Sequence, residues 1–236
     1  MPLRKLFGGG REVEMSILSH FVGETGAVID VGANRGTYAW PLSRILSPGR
    51  ELILIEPQTN FVDYLSRAFK NNPFVKVIPK AASAKDGRVR INVELNEHYE
   101  KSGAVSMENY YPKSISQEIE TLTIDSLGLT ECAFIKIDID GHELDCLLGA
   151  TKTLQRTFPV LLIEIEFRMA EKKCLDTYLL LKGAGYVAYS YFEDKLDVVQ
   201  EQLFNSPELN LHPDMSFRNN FVFLAPNHSH ILKKLS

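Results

Sequence analysis

The sequence AVIDVGANRG at residues 27–36 sets the expected architecture of the chain. Residues 27–31 are apolar or β-branched apart from Asp30, which is typical of a strand buried on both faces of a parallel sheet. Gly32 and Gly36 bracket a tight turn after this strand. Apolar residues then recur at helical spacing: Tyr38, Leu42, Ile45 and Leu46. A strand, a glycine turn and a helix in this order predict a ligand site at the turn.

Asp30 and Asn34 indicate which ligand this turn would bind. A dinucleotide fingerprint needs glycine at its second position, so that a pyrophosphate can approach the backbone, and counting from Gly32 that position holds Asn34. A carboxylate at the end of the strand would repel a pyrophosphate and attract an ammonium or a sulfonium. S-adenosylmethionine carries both groups, so Asp30, Gly32, Asn34 and Gly36 are predicted to bind this cofactor. The alternative is a buried strand followed by a purely structural turn.

Length and composition favour one large α/β domain over residues 1–236, with residues 1–10 as a flexible arm. A net charge of −4 gives no electrostatic reason to expect nucleic acid as a main partner. No stretch is long enough to cross a bilayer. The three cysteines are an odd number without metal-like spacing, which points to a reducing compartment, so the cytoplasm is the expected location. No pattern assigns an oligomeric state.

Buried strands alternate with helices along most of the chain. After the first strand, further strands are expected at residues 51–57, 75–79, 133–141 and 159–166, and two late strands at residues 186–192 and 220–225. This alternation predicts a doubly wound, mostly parallel sheet with ligands at the carboxyl ends of its strands.

Residues 87–127 interrupt this rhythm. Residues 89–95 alternate with period two and no helix follows them, which predicts a small inserted β element. Residues 96–116 are polar and aromatic without clear periodicity. We predict a loop that faces the substrate here, with plain disorder as the alternative.

Three further residues are predicted to bind the cofactor. Glu56 ends the second strand, about 20 residues beyond the glycine turn, where an acid can meet the hydroxyls of an adenosine ribose. The alternative for Glu56 is a carboxylate that interacts with the dipole of the following helix. Ala81 and Ala82 follow the third strand, and their small side chains would let a ligand lie close to the backbone.

Asp138, Asp140 and His142 cluster at the carboxyl end of the fourth strand, in IKIDIDGHE. Strand alternation places both aspartates on one face, where each must be solvated, paired or functional. Three interpretations stay open: a general base or substrate-positioning acid, a divalent metal with oxygen ligands, and helix capping by Asp140 ahead of Glu143. Asp138 is predicted to be catalytic, with His142 as the next candidate, and no residue is assigned as a metal ligand.

Several segments together resemble the FkbM-type methyltransferase family. They are VIDVGANRG, LILIEP, the alanine pair after VIPK, IETLTIDSL and IKIDIDGHELDCLLGA, and NNFVFLAP is similar to the family's last strand. The resemblance implies a class I, Rossmann-like S-adenosylmethionine-dependent methyltransferase fold with an antiparallel last strand. It also implies methyl transfer to a hydroxyl, often of a sugar or a natural product. One departure is Asp140, because the family commonly has glutamate before this glycine.

The expected activity is therefore methyl transfer from S-adenosylmethionine to a small-molecule or glycan hydroxyl acceptor. The acceptor oxygen would attack in line, while a base removes the hydroxyl proton. The competing hypotheses are a non-catalytic module that binds adenosylmethionine or a nucleotide, and an NAD-dependent dehydrogenase. A phosphate-binding loop, a serine nucleophile elbow and a Cys-x-x-Cys pair do not occur in the sequence.

Overall fold

The computed structural model describes residues 13–95, 101–106, 114–192, 194–210 and 219–235. The flexible arm predicted at residues 1–10 lies outside these ranges. Parts of the loop predicted at residues 96–116 also lie outside them, at residues 96–100 and 107–113.

The described residues form twelve strands, numbered in chain order. They are β1 (Ala27–Val31), β2 (Leu52–Ile55), β3 (Val75–Ile78), β4 (Ala81–Ala82), β5 (Gly87–Leu95), β6 (Lys101–Ser106), β7 (Ser114–Leu122), β8 (Cys132–Ile137), β9 (Val160–Glu164), β10 (Val187–Phe192), β11 (Lys195–Val198) and β12 (Asn220–Leu224). The α-helices of the same residues are α1 (Leu18–Phe21), α2 (Ala39–Ile45), α3 (Thr59–Ala68), α4 (Glu143–Leu148), α5 (Thr151–Thr157), α6 (Phe167–Gly183) and α7 (Ser229–Leu232). No helix in the described part of the chain is both long and apolar enough to span a bilayer.

Eight strands form the central sheet, in the order β11-β10-β12-β9-β8-β1-β2-β3. Strands β1, β2, β3, β8 and β9 pair in parallel, and β12 runs antiparallel to both of its neighbours. The predicted doubly wound sheet with an antiparallel last strand is confirmed. β11 is an additional edge strand, inside a connection that showed no strand signal in the sequence.

Apolar side chains cover both faces of this sheet. In β1, Ile29 and Val31 belong to one buried cluster, whereas Val28 belongs to the cluster on the opposite face. All five β1 residues are buried. A strand covered on both faces needs no polar alternation, which explains the continuous apolar run in its sequence.

A second sheet of four strands, in the order β4-β7-β5-β6, lies between β3 and β8 in the chain. This is the inserted β element predicted within residues 87–127. The loop predicted at residues 96–116 is wrong in part, because β6 forms within it and β7 begins at Ser114. The sequence of β6, KSGAVS, is poor in β-branched and aromatic residues, and the strand is defined by its pairing with β5.

Candidate functional site

A cleft opens at the carboxyl ends of β1, β2 and β8. Including the open solvent at its mouth, the cleft has about 650 Å³ of empty volume. Its lining is Val31, Gly32, Asn34, Ile55, Glu56, Pro57, Gln58, Lys80, Ala81, Ala82, Ile91, Asp138, Ile139, Asp140 and His142. Seven of the nine residues predicted to bind cofactor or to catalyse therefore line one cleft, and Asp30 and Gly36 do not.

The turn after β1 packs directly against the end of β8. Gly32 has φ +79°, and a Cβ atom at this position would lie 1.9 Å from the carbonyl oxygen of Asp138. The Asp138 amide in turn donates to the carbonyl of Val31 at 3.1 Å. Glycine is thus required both by the left-handed backbone and by the contact between the two chain segments.

Glu56 is held by two backbone amides. Its Oε2 accepts from the amide of Asn34 at 2.9 Å and its Oε1 from the amide of Gln58 at 2.8 Å. The residue is only 3% exposed. Burial raises the pKa of Glu56 to about 7, although the two amides oppose this rise, and repulsion from Asp138 adds to it. Because each carboxylate oxygen has two lone pairs, both can still accept a hydroxyl from the cleft.

Asp30 and Gly36 support the cleft from outside its lining. Asp30 is 2% exposed, shares its face of β1 with Val28, and lies in register with Lys136 of β8. Gly36 has φ +82°, and a Cβ there would lie 3.0 Å from a methyl group of Leu65. Asp30 therefore lies beneath the turn, while Gly36 lets the chain enter α2 against α3.

Ala81, Ala82 and Ile91 give the cleft an apolar wall. Ala81 and Ala82 form β4, and Ile91 lies on β5 of the inserted sheet. All three side chains are buried. The alanine pair was predicted to bind the ligand because it follows the third strand and has small side chains. Ile91 was not predicted, because its place in the cleft depends on how the inserted sheet packs against the central one.

Asp138 presents a carboxylate to the cleft from the end of β8. Its side chain is 34% exposed, and its Oδ2 lies 3.6 Å from Nζ of Lys136. Lys136 is fully buried and also donates to Oδ1 of Asn220 at 3.1 Å. Sequence reasoning did not single out Lys136, although strand alternation places it on the same face as Asp138.

The chain turns sharply after Asp138. Asp140 has φ +50° and Gly141 has φ +98°. The amide of Gly141 donates to Oε1 of Glu143 at 2.9 Å, and burial raises the pKa of Glu143 to about 7, with the Gly141 amide opposing and Asp138 and Asp140 adding repulsion. The N-cap position of α4 is His142, whose side chain makes no cap hydrogen bond, and Asp140 lies two residues before this position. Capping by Asp140 therefore stays one of the open interpretations.

His142 uses both ring nitrogens within the protein. Its Nε2 lies 3.1 Å from Oγ of Ser83, and its Nδ1 lies 3.5 Å from Oδ2 of Asp145. Asp145 also accepts from Nζ of Lys173 at 3.1 Å. His142 would have to give up one of these partners to take a proton from a ligand, which favours Asp138 as the base.

The described residues contain no group of three or more histidine, cysteine, aspartate or glutamate side chains arranged to hold a metal ion.

Comparisons with known proteins show that the chain is similar to methyltransferases. A family model described as the methyltransferase FkbM domain matches residues 30–202. The solved structure of methyltransferase FkbM from Methylobacillus flagellatus KT is 18% identical with a TM-score of 0.52, and the match covers 85% of this chain and 44% of that one. The present chain therefore spans less than half the length of that protein.

Two further similar structures were solved as complexes, one with SAH and one with S-adenosyl-L-methionine. The O-methyltransferase from Bacillus cereus in complex with SAH is 14% identical with a TM-score of 0.49, and the match covers 91% of this chain and 81% of that one. Aeropyrum pernix fibrillarin with natively bound S-adenosyl-L-methionine is 11% identical with a TM-score of 0.49, covering 91% and 74%. The search of curated proteins gave no match.

Proposed function

The chain belongs to the FkbM methyltransferase family, and we propose that it transfers a methyl group from S-adenosylmethionine to a hydroxyl oxygen of a sugar or a small natural product. The observation that carries this proposal is the Glu56 carboxylate, held by the amides of Asn34 and Gln58 at the mouth of the glycine turn. A carboxylate fixed in this way can accept both hydroxyls of a ribose.

The residues of the cleft fit S-adenosylmethionine in chemistry as well as in position. Glu56 would hold the ribose hydroxyls, while Ala81, Ala82 and Ile91 offer an apolar surface for the adenine ring. Asp138 would face the sulfonium side, where a carboxylate stabilises a cation. When bound, the cofactor supplies an electrophilic methyl group.

The chain's own contribution to the reaction is orientation and proton removal. Gly32 packs against Asp138, so the turn that holds the cofactor and the proposed base are fixed relative to each other. Asp138 would orient the acceptor hydroxyl and take up its proton. This proton uptake would balance transfer of the methyl group from sulfur to the acceptor oxygen, with S-adenosylhomocysteine released. Positioning of this kind can supply much of the rate enhancement.

Titration calorimetry with S-adenosylmethionine, S-adenosylhomocysteine and NAD⁺ tests the cofactor. We expect binding of the first two ligands and none of NAD⁺. Binding of NAD⁺ alone would favour a dehydrogenase, and the absence of any binding would overturn the proposal.

Transfer of tritium from [methyl-³H]S-adenosylmethionine to a panel of acceptors tests the reaction. The panel contains neutral monosaccharides, oligosaccharides and phenols, each paired with its deoxy or O-methylated analogue. We expect label in a hydroxyl compound and none in its blocked analogue. Cofactor binding with no transfer to any acceptor, including a cell extract, would favour a non-catalytic binding module.

A further inference from the structure

Lys136 is a buried cation that the proposed reaction does not use directly. Its side chain is 0% exposed, and it lies on β8 two residues before Asp138 on the same face of the strand. Burying a lysine is costly unless its charge is paired and its donors are bonded. The partners of its ammonium group therefore indicate why this position holds a lysine.

Several groups lie near the ammonium group of Lys136, and the buried Asp30 lies in register with Lys136 on the neighbouring strand β1. Nζ lies 3.1 Å from Oδ1 of Asn220, the first residue of β12, and 3.6 Å from Oδ2 of Asp138 at the cleft. It also lies 5.0 Å from the ring centroid of Tyr38, the residue before α2, within the range of a cation–π contact. Asn220 and Tyr38 thus fix the position of Nζ from two sides.

The carboxylate of Asp138 has one oxygen directed at this buried cation. Its Oδ2 lies 3.6 Å from Nζ, and the side chain is still 34% exposed. An ion pair of this kind restricts rotation of the carboxylate, so that the second oxygen is available to a ligand. Lys136 also binds Asn220, which lies 84 positions further along the chain, and so connects Asn220 to the cleft.

We propose that Lys136 is a positioning residue, which holds the Asp138 carboxylate toward the sulfonium and the acceptor hydroxyl. This inference rests on the proposed function, because it concerns the orientation of the group assigned to the methyl-transfer step. Asn220 acts indirectly, because its side chain accepts a hydrogen bond from Lys136 and so holds the ammonium group in place. Neither residue is expected to touch the cofactor.

The test compares the affinities of Lys136→Met and wild-type protein for two ligands that differ in charge at sulfur. S-adenosylmethionine carries a sulfonium, whereas S-adenosylhomocysteine has a neutral thioether at this position. We expect Lys136→Met to lower the preference for S-adenosylmethionine over S-adenosylhomocysteine by about tenfold, and we expect the same of Asp138→Asn. In the first variant the carboxylate would be turned away, and in the second its charge is absent.

The ratio of the two affinities separates positioning from other roles. If Lys136 acted only through its own charge, its removal would favour the cationic ligand and the preference would rise. If it acted only on stability, both affinities would fall together and the ratio would stay unchanged. Either result overturns the inference.

Asn220→Ala provides the test if Lys136→Met does not fold, and Lys182→Met is its control. Asn220→Ala removes the hydrogen bond that holds Nζ but keeps the buried charge, and we expect it to lower the preference in the same direction by about threefold. An unchanged ratio in a folded Asn220→Ala protein overturns the inference. The matched control is Lys182→Met, because Lys182 pairs with Glu201 on the surface, and this variant should keep the wild-type ratio.

Failure of the inference differs from failure of the proposed function. A wild-type protein that binds neither ligand overturns the proposed function, and the inference with it. A wild-type protein that prefers S-adenosylmethionine, together with variants of unchanged preference, overturns only the role of Lys136.

Discussion

Two halves of the cleft are built by different kinds of contact. The half that we propose to bind the cofactor (Gly32, Asn34 and Glu56; the cofactor half) is fixed by backbone groups, since both oxygens of Glu56 accept from amides. The half that we propose to bind the acceptor (Asp138 and His142; the acceptor half) is fixed by side chains, because Asp138 pairs with Lys136 and His142 contacts Ser83 and Asp145. Hydrogen bonds from the backbone keep the geometry of the cofactor half when surrounding side chains vary. A single substitution can change the geometry of the acceptor half, because side chains hold it.

The largest effect is expected where the two halves meet. In Gly32→Val the new side chain would collide with the Asp138 carbonyl and would require a left-handed backbone. We expect a loss of at least about 3 kcal/mol in the free energy of unfolding and no binding of S-adenosylmethionine. Thermal denaturation and titration calorimetry measure the two losses.

Gly183→Ala provides the control for this substitution. A Cβ at Gly183 has no atom within 4 Å and the residue is the last one of α6, so folding and binding should be unaffected. A folded Gly32→Val protein with wild-type affinity would show that the two halves are not packed as described.

The acceptor half should govern chemistry more than binding. Asp138→Asn keeps the size of the side chain but removes its charge and basicity. We expect single-turnover methyl transfer to the identified acceptor to fall by about 100-fold or more, because general base catalysis contributes about 10² to 10⁴. The affinity for S-adenosylmethionine should fall less, and near wild-type turnover would exclude Asp138 as the base.

The cofactor half contains one buried glutamate, Glu56, and the acceptor half adjoins another, Glu143. Protonation of these two side chains should affect the free energy of unfolding. Burial raises the pKa of Glu56 and of Glu143 from 4.5 to about 7. The folded state therefore binds these protons more tightly than the unfolded state, which adds to the free energy of unfolding. This stabilisation is fully present below pH 4.5 and is lost as the pH rises through 7.

Urea denaturation from pH 4 to pH 8 measures this loss. The wild-type free energy of unfolding should decline by up to about 3 kcal/mol more than that of Glu143→Gln over this range. An identical pH profile for the two proteins would contradict the buried, protonated state of Glu143.

The cofactor half should govern binding more than folding. Glu56→Ala removes the acceptor of two backbone amides and, in our proposal, of the ribose hydroxyls. We expect the affinity for S-adenosylmethionine to fall by about 1.5 to 3 kcal/mol, measured by calorimetry on folded protein. Glu51→Ala is the control, because Glu51 pairs with Lys76 on the surface. An unchanged dissociation constant would refute the ribose assignment.

The smallest effect is expected at His142. Both of its ring nitrogens are engaged by Ser83 and Asp145, so His142→Gln should slow methyl transfer by less than about tenfold. The comparison with Asp138→Asn under the same single-turnover conditions ranks the two candidates. A larger loss in His142→Gln would reverse their roles.

The central sheet and the cofactor half could be predicted because their signals are local. The glycine turn follows β1 directly, Glu56 follows β2 directly, and the alanines of β4 come two residues after the end of β3. Parallel strands bring their carboxyl ends together. The predicted family and fold are confirmed, whereas the functions of the individual residues stay predictions.

Asp138 and His142 were also predicted, but the side chains that hold them could not be, because these contacts join distant parts of the chain. Lys136 and Asn220 are 84 positions apart, and Ser83 and His142 are 59 apart. Neither pair leaves a periodic or spacing signal. β6 escaped prediction for a related reason, because its sequence is weakly suited to a strand and its pairing with β5 defines it.

A crystal structure of the protein with S-adenosylhomocysteine tests the division of the cleft most directly. The account predicts both ribose hydroxyls within hydrogen-bond distance of the Glu56 carboxylate, the adenine ring against Ala81, Ala82 and Ile91, and the sulfur atom facing Asp138. A ligand bound outside this cleft, or one whose ribose has no contact with Glu56, would contradict it.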